Sequence, residues 1–422
     1  MLSLKFIREN SEFVKTSLTG KNTTVDIDAL LQLDAIRRKD LQEVEKLRAE
    51  KNRVSGAIAQ KKKNGKNAEA DIISMREVAG EIKSVEDRLK ATEEQIQTQI
   101  YYIPNYIHDS VPGGKNEDDN VVVREWGEKP EFSFDPKDHV ELGKSLGMLD
   151  FKGAVKMAGS GFPLYTGLGA KLERGLINFM LDFHIKHHGY RELFPPFLAQ
   201  RNAMQNTGQL PKFEEDMYRI PEDGLYCIPT AEVPVTNIHQ GEILAEDELP
   251  KKYAAYSACF RREAGSYGKD TKGLTRLHQF NKVELVKFTH PQNSYAELES
   301  LVENAEAVLQ ALGLHYRIIE LCSGDLSFSA AKCYDLEAWA PGIERWQEVS
   351  SCSNFDDFQA RRADIRFRAK SGKSQLVHTL NGSGLGLPRT LICIIEQYQT
   401  ADGKVQIPDV LLPYMGGITI LD

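Results

Sequence analysis

The sequence predicts an α+β protein: an antiparallel sheet flanked by helices, preceded by a long antiparallel two-helix coiled coil. Three observations carry this expectation. Two heptad seams flank the polar stretch KKKNGKN, and a linker rich in Pro, Gly and Asn follows at IPNYIHDSVPGGKNEDDN. Beyond it, strand-like and helix-like runs mix without the βαβ alternation that a doubly wound parallel sheet requires. Pro104 ends the second helix, so the expected domains are 1–103 and 104–422.

Residues 4–17 read as a short helix with Phe6, Ile7, Phe13 and Val14 on one face. The first seam runs Leu30, Leu33, Leu41, Val44, Leu47, Val54 and Ile58, interrupted by Arg37 and Lys51. The second runs Met75, Val78, Ile82, Val85, Leu89 and Ile96, with only Thr92 out of character. Arms of about 33 residues reach roughly 50 Å at 1.5 Å per residue, so such a hairpin projects. Its charge is uneven. Lys46, Arg48, Lys51, Arg53, Lys61, Lys62, Lys63 and Lys66 crowd the tip, opposed mainly by Glu50, whereas Asp34, Asp40, Glu86, Glu93 and Glu94 lie nearer the base. This is either a solvated coiled-coil surface or a contact for a phosphate backbone, and the segregation of charge favours the contact. After the linker, strands are expected at 121–123, 314–321, 343–350 and 375–380, and helices at 137–146, 168–188, 291–312 and 387–400.

A chain of 422 residues has room for two or three domains, and its 27% charged and 41% hydrophobic residues are ordinary for a globular protein. No apolar run approaches the roughly 20 residues of a membrane span, and MLSLKFIREN carries charge where a signal peptide has its apolar core. A cytoplasmic protein without a membrane partner is expected. The net charge of -8 argues against a nonspecific nucleic-acid binder and leaves room for a local basic patch. Six scattered cysteines without a CxxC pair predict reduced thiols rather than zinc. His184, His187 and His188 have helical spacing but no acidic or cysteine companion, so a solvated helix end is expected there rather than a metal.

Four stretches carry chemistry. In 259–284 (CFRREAGSYGKDTKGLTRLHQFNKVE), two strand candidates flank a loop with Gly265, Gly268, Gly273, Lys269 and Lys272. Their ends hold Arg261, Glu263, Arg276 and Glu284 where a half-buried sheet would put Val or Thr. A period of two lets Arg261 and Glu263 share a face, so this is either a surface hairpin with ion pairs or a site for a substrate with anionic and cationic parts. In PTAEVP, Thr230 and Glu232 could receive an ammonium group, or Thr230 could simply cap a helix. In EVSSCS, Glu348 and Ser351 offer hard oxygens suited to Mg²⁺. In TLNGSGLGLPRTLICIIEQ, the glycines match neither a phosphate loop with its Lys nor a dinucleotide fingerprint. They would let the backbone approach a flat ligand with Arg389 near a base or its phosphates.

These stretches, in this order behind a helical hairpin, resemble the bacterial-type seryl-tRNA synthetases over nearly the whole chain. FRREAG resembles motif 2 of class II aminoacyl-tRNA synthetases, GLGLPRTL motif 3, and ELFPPF, with Pro195 and Pro196, the end of motif 1. HIGH and KMSKS, the class I signatures, are absent. The resemblance implies ATP-dependent activation of L-serine and transfer of the seryl group to tRNA(Ser), and to tRNA(Sec) as well, by a homodimer with Mg²⁺. It assigns Arg261, Arg276 and Arg389 to catalysis, with Arg261 on the α-phosphate and Arg276 on the outer phosphates. The ATP site would comprise Arg261, Arg262, Glu263, Arg276, Phe280, Glu348, Val349, Ser350, Ser351 and Arg389, with adenine between Phe280 and Arg389. Glu348 and Ser351 would hold the metal. Thr230, Ala231 and Glu232 would take the serine ammonium, with Glu284 and Ser383 at its side chain. The tip residues Lys46, Arg48, Lys51, Arg53, Lys61, Lys62, Lys63 and Lys66 would hold the long variable arm of the tRNA, and the loop 268–273 would approach its acceptor end. Two other functions compete: an adenylate-forming relative that loads a carrier protein, and a coiled-coil interaction protein with an inert globular end. The full hairpin argues against the first, and the joint presence of Arg261, Glu263, Glu284, Glu348 and Arg389 against the second.

Overall fold

The computed structural model describes residues 1–264 and 272–422. The chain forms two compact units, one of Leu2–Thr19 and Thr23–Pro104, the other of Met1, Gly20–Asn22 and Asn105–Asp422.

In the first unit the expected N-terminal helix is two, α1 (Leu4–Glu9) and α2 (Ser11–Gly20), because Asn10 leaves the helical region at φ -132. Phe13 stays 39% exposed against the edge of Phe6. The arms are α3 (Ile27–Lys63), capped by the Asp26 carboxylate, and α4 (Glu69–Ile100). Leu30, Val44, Ile58, Val78, Ile82, Val85 and Ile96 are buried between them, as the heptads require. Three polar residues of the seam are buried too. Thr92 donates its hydroxyl to the Arg88 carbonyl at 3.0 Å, which satisfies it within its own helix. Asp34 receives Arg8 at 2.7 Å and Arg38 at 3.1 Å, and Asp40 receives a two-pronged bond from Arg88. That guanidinium holds the Asp40 carboxyl below its usual range. These two acids near the arm base are therefore buried against partly exposed arginines, whose attraction offsets the cost of leaving water.

The second unit is built on a sheet that has eight strands among the described residues: β1 (Val121–Trp126), β2 (Arg191–Leu193), β3 (Lys251–Phe260), β4 (Gln279–Thr289), β5 (Tyr316–Glu320), β6 (Lys332–Ala340), β7 (Arg345–Asn354) and β8 (His378–Gly386). Their order is β1-β5-β6-β7-β8-β4-β3-β2, antiparallel except for the β2–β3 edge pair. Helices α5 (Gly167–His188), α7 (Ser294–Ala311) and α8 (Leu387–Gln397) share one apolar core with the sheet, through Leu176, Leu301 and Leu391 among others. Between α5 and α7 in sequence lies the short helix α6 (Glu232–Asn237). The strand expected at 375–380 is divided, since Ser374–Leu376 belongs to a small separate sheet and only the remainder enters β8.

Alternation along β4 sets the two faces. Val283 and Leu285 enter the helical core, whereas Phe280 and Lys282 line a cavity on the opposite side, with Glu284 buried behind it. His184 is not at a solvated helix end. It is fully buried, its Nε2 lies 3.1 Å from the Gly384 carbonyl, and a Cβ on Gly384 would come within 2.6 Å of that nitrogen. Burial pushes its pKa down to about 3, so it is a neutral link between α5 and β8. None of the six cysteines forms a disulfide, and no cluster of metal-ligating residues occurs among the described residues. No helix there is long and apolar enough to cross a membrane.

Candidate active site

The cavity on this face has a volume of about 630 Å³, within the range of small-molecule sites. Of the residues singled out in the sequence, Thr230, Glu232, Arg261, Glu263, Arg276, Phe280, Glu348, Val349, Ser351, Ser383 and Arg389 line it. Ala231, Arg262, Glu284 and Ser350 do not. Ala231 is buried in the apolar cluster under α6, Arg262 is exposed, and the Ser350 hydroxyl donates to the Ser383 carbonyl at 2.7 Å. Residues 265–271 of the basic loop lie outside the described residues. At its exit Lys272 pairs with Asp138 at 2.5 Å, and Gly273 has φ 69 where a Cβ would meet His139.

Arg261 and Glu263 do not share a strand face. Strand β3 ends at Phe260, and Glu263 turns through φ 50, a left-handed conformation that breaks the period of two. Each acid and base then finds a different partner. Glu263 takes Arg276 at 2.9 Å, while the Arg261 guanidinium lies 5.1 Å from the centre of the Phe280 ring. Arg389, expected opposite that ring, donates to the Glu348 carbonyl at 2.9 Å and pairs with its carboxylate at 3.1 Å.

Glu348 and Ser351 are three residues apart, a spacing that points to opposite faces of a regular strand. They share the cavity because the β6–β7 register slips between Leu336 and Glu337, leaving Val349 as an extra residue. Their carboxylate and hydroxyl are hard oxygens on one wall, a donor set that fits a small divalent cation with water and phosphate as its other ligands.

At the other end, Glu284 is fully buried and accepts from the Thr230 hydroxyl at 3.0 Å and from the Asn381 amide at 2.8 Å. Lys282, itself 7% exposed, forms an ion pair with it. The Thr230 hydroxyl also accepts from the Glu232 amide at 3.2 Å, so it serves the start of α6 and the acid together. Glu232 accepts from the Gln359 amide at 2.6 Å. Burial, and then the nearby Glu284 charge, push the Glu232 carboxyl up to about 7.

Lys282, Asn381 and Gln359 escaped the sequence reading. The spacing Phe280, Lys282, Glu284 was the available signal for the first, since a strand puts these three on one face. Gln359 comes from a distant segment, and only tertiary structure brings it to Glu232.

On the arm, three of the eight tip cations are paired: Arg48 with Glu86, Arg53 with Glu50, and Lys61 with Asp71. The first and third of these acids lie on the opposite helix, so the tip is less purely basic than one helix suggests.

A largely antiparallel sheet with helices on one face and a cavity on the other, walled by an arginine at a hairpin exit and a second in the first turn of a buried helix, defines a class II aminoacyl-tRNA synthetase. A family model described as the tRNA synthetase class II core domain (G, H, P, S and T) matches residues 212–398, and one described as the seryl-tRNA synthetase N-terminal domain matches residues 1–107. The chain is 54% identical to the serine-tRNA ligase of Geobacter sulfurreducens, over 99% of both chains. It is 52% identical to that of Syntrophobacter fumaroxidans, over the full length of both. A structure of seryl-tRNA synthetase from Pyrococcus horikoshii complexed with ATP superposes with a TM-score of 0.94 at 37% identity, covering 100% of this chain and 99% of the other. The chain belongs to the seryl-tRNA synthetase family.

Proposed function

We propose that this chain activates L-serine with ATP and transfers the seryl group to tRNA(Ser), with residue roles that follow from the cavity. The observation that carries the reading is the buried Glu284 directly behind the cavity wall, bonded to the wall residues Thr230, Asn381 and Lys282, in a cavity that arginines also line. A serine carboxylate oxygen attacks the α-phosphorus, the bond to the bridging oxygen breaks, and pyrophosphate leaves. A ribose hydroxyl of the tRNA 3′ end then attacks the acyl carbon and releases AMP. No protein nucleophile is needed, so positioning and charge carry the rate. Arg261 holds the α-phosphate and Arg276 the outer phosphates, and Phe280 and Arg389 hold adenine once Arg389 leaves Glu348. Arg262, Ser350 and Ala231, off the cavity wall, act through the backbone of their motifs. Glu348 and Ser351 would hold Mg²⁺, which neutralises charge on the phosphates when bound. Thr230 and Glu232 take the ammonium, and Ser383 closes the side-chain pocket beside Glu284.

The tip cations Lys46, Arg48, Lys51, Arg53, Lys61, Lys62, Lys63 and Lys66 hold the long variable arm of tRNA(Ser). The same recognition extends to tRNA(Sec) wherever that tRNA offers an arm of similar length. A homodimer is supported by edge strand β2, which leads to Phe194 at 77% exposure. Serine-dependent ATP-pyrophosphate exchange, compared across amino acids in the full chain and in a variant with 54–67 replaced by a short turn, tests both halves. Exchange with serine in both proteins, with charging of tRNA(Ser) lost mainly from the shortened one, is expected. Exchange with another amino acid instead sinks the substrate, and undiminished charging sinks the tip.

The raised Glu232 pKa adds a pH dependence. Relative to its ordinary value of 4.5, the folded carboxyl near 7 binds a proton that the unfolded chain has lost. Its contribution to the stability of the fold is thus full below pH 4.5 and lost as pH rises through 7. Serine's ammonium needs the ionised form, so the KM for serine should fall about tenfold from pH 6 to pH 8. Exchange kinetics across that range check this, and Glu232→Gln should raise the KM and flatten the profile.

A further inference from the structure

Beyond Met1, the chain changes unit around two places, the short stretch Gly20–Asn22, which it enters and leaves, and the step Pro104–Asn105. Both passages are fastened to one short segment, 327–330. Lys21, 7% exposed, donates its ammonium to the Ser327 carbonyl at 2.9 Å and to the Ala330 carbonyl at 2.5 Å. Asn105, 1% exposed, donates its backbone amide to the Phe328 carbonyl at 3.0 Å and its side-chain amide to the Ser329 carbonyl at 3.0 Å. Four consecutive carbonyls are thus taken by two residues that sit where the chain changes unit. Burying a lysine against neutral acceptors is costly, and a loop of ordinary structural importance could satisfy these carbonyls with water at the surface.

The segment is also a wall of the cavity, through Ser327, Phe328 and Ser329. Hydrogen bonds continue inward from it. The Ser329 hydroxyl donates to the Thr207 carbonyl at 3.2 Å, Gln359 donates to the same carbonyl at 3.3 Å, and Gln359 also donates to Glu232 at 2.6 Å. Room for slack at the first of these links is small, because a Cβ on Gly208 would come within 2.2 Å of the Ser329 Oγ. An unbroken run of packed polar groups therefore joins both passages to the carboxylate assigned to the serine ammonium.

We propose that Lys21 and Asn105 are positioning residues for the serine pocket, through which the two passages set its wall and make serine binding respond to tRNA held on the arm. This rests on the reading of Glu232 as the ammonium site and of the arm as the tRNA contact. By linkage the effect is mutual, and a coupling of ordinary size changes affinity by about fivefold or more.

Exchange kinetics on the full-length protein test the idea, with serine and ATP varied in turn, with and without tRNA(Ser) whose 3′ ribose has been oxidised so that it cannot be charged. In Lys21→Met and Ser329→Ala the serine KM should rise about fivefold while the ATP KM stays within about twofold, and the response of the serine KM to oxidised tRNA should fall by at least about half. Circular dichroism reports folding, and if Lys21→Met does not fold, Ser329→Ala decides, since it breaks the path one link further in and leaves both passages intact. A loss confined to kcat, equal changes in both KM values, a wild-type serine KM indifferent to tRNA, or an unaltered response in the variants each overturns the proposal. Glu232→Gln and direct tRNA binding separate this from failure of the underlying reading. An unchanged serine KM in the first, or no binding in the second, would mean that the pocket or the arm was misassigned.

Discussion

Arg261→Ala should lower serine-dependent exchange by about 10²–10³-fold while the protein remains folded. The guanidinium is placed for this by two contacts, its Nε at 3.4 Å from the Pro229 carbonyl and its plane over Phe280. It forms no ion pair among the described contacts, unlike Arg276 and Arg389, so its removal leaves no paired carboxylate behind. The loss should therefore fall on charge stabilisation at the phosphorus. Arg261→Lys tests the geometry, because a lysine supplies the charge without the planar fork and should recover only part of the rate. Pyrophosphate exchange with matched melting curves measures both, and a fully active alanine variant would contradict the phosphate role.

Glu284→Gln should have the second large effect, on discrimination rather than on overall rate. A site built to hydrogen-bond a hydroxyl rejects an analogue lacking it by on the order of 10⁴-fold. The amide keeps the volume and one acceptor but removes the charge, and it leaves Lys282 buried without its counter-ion. Breaking such a pair costs about 3–5 kcal/mol, so stability must be followed in parallel. Adding Lys282→Met removes the orphaned cation and isolates the effect on recognition. The ratio of kcat/KM for serine over alanine should shrink by about a hundredfold or more in the double variant. Equal losses for serine and alanine would show that Glu284 supports the fold and does not read the hydroxyl. Threonine carries the same hydroxyl and should be affected in parallel with serine.

Much of this was legible in the residue pattern, and the exceptions have physical causes. Heptads marked the arms because apolar periodicity is local, and the glycine and arginine stretches marked the cavity because few structural roles need such charge at strand ends. The burial of Asp34 and Asp40 was not foreseen, because a carboxylate reads as exposed unless its cations are known, and Arg8 and Arg88 lie in other helices. The shared face of Arg261 and Glu263 failed at one residue with positive φ. Glu348 and Ser351 came together through a bulge that no spacing rule foretells. His184 was assigned to solvent from its neighbours, whereas the close approach of Gly384, some two hundred residues away in sequence, decides its burial.

Three cations of the cavity wall are matched: Arg276 with Glu263, Arg389 with Glu348 and Lys282 with Glu284. A lone phosphate or a lone ammonium that engages one of these three pairs must break it and leave half of it unanswered. Only a ligand set bringing both signs together can trade partners without stranding a charge. These three pairs thus resist the abundant simple ions of a cell, and added salt should disturb them little. The exposed Lys62, Lys63 and Lys66 of the arm are not matched in this way, so, if they hold the nucleic acid as proposed, ionic strength should weaken that contact long before it touches the binding of serine.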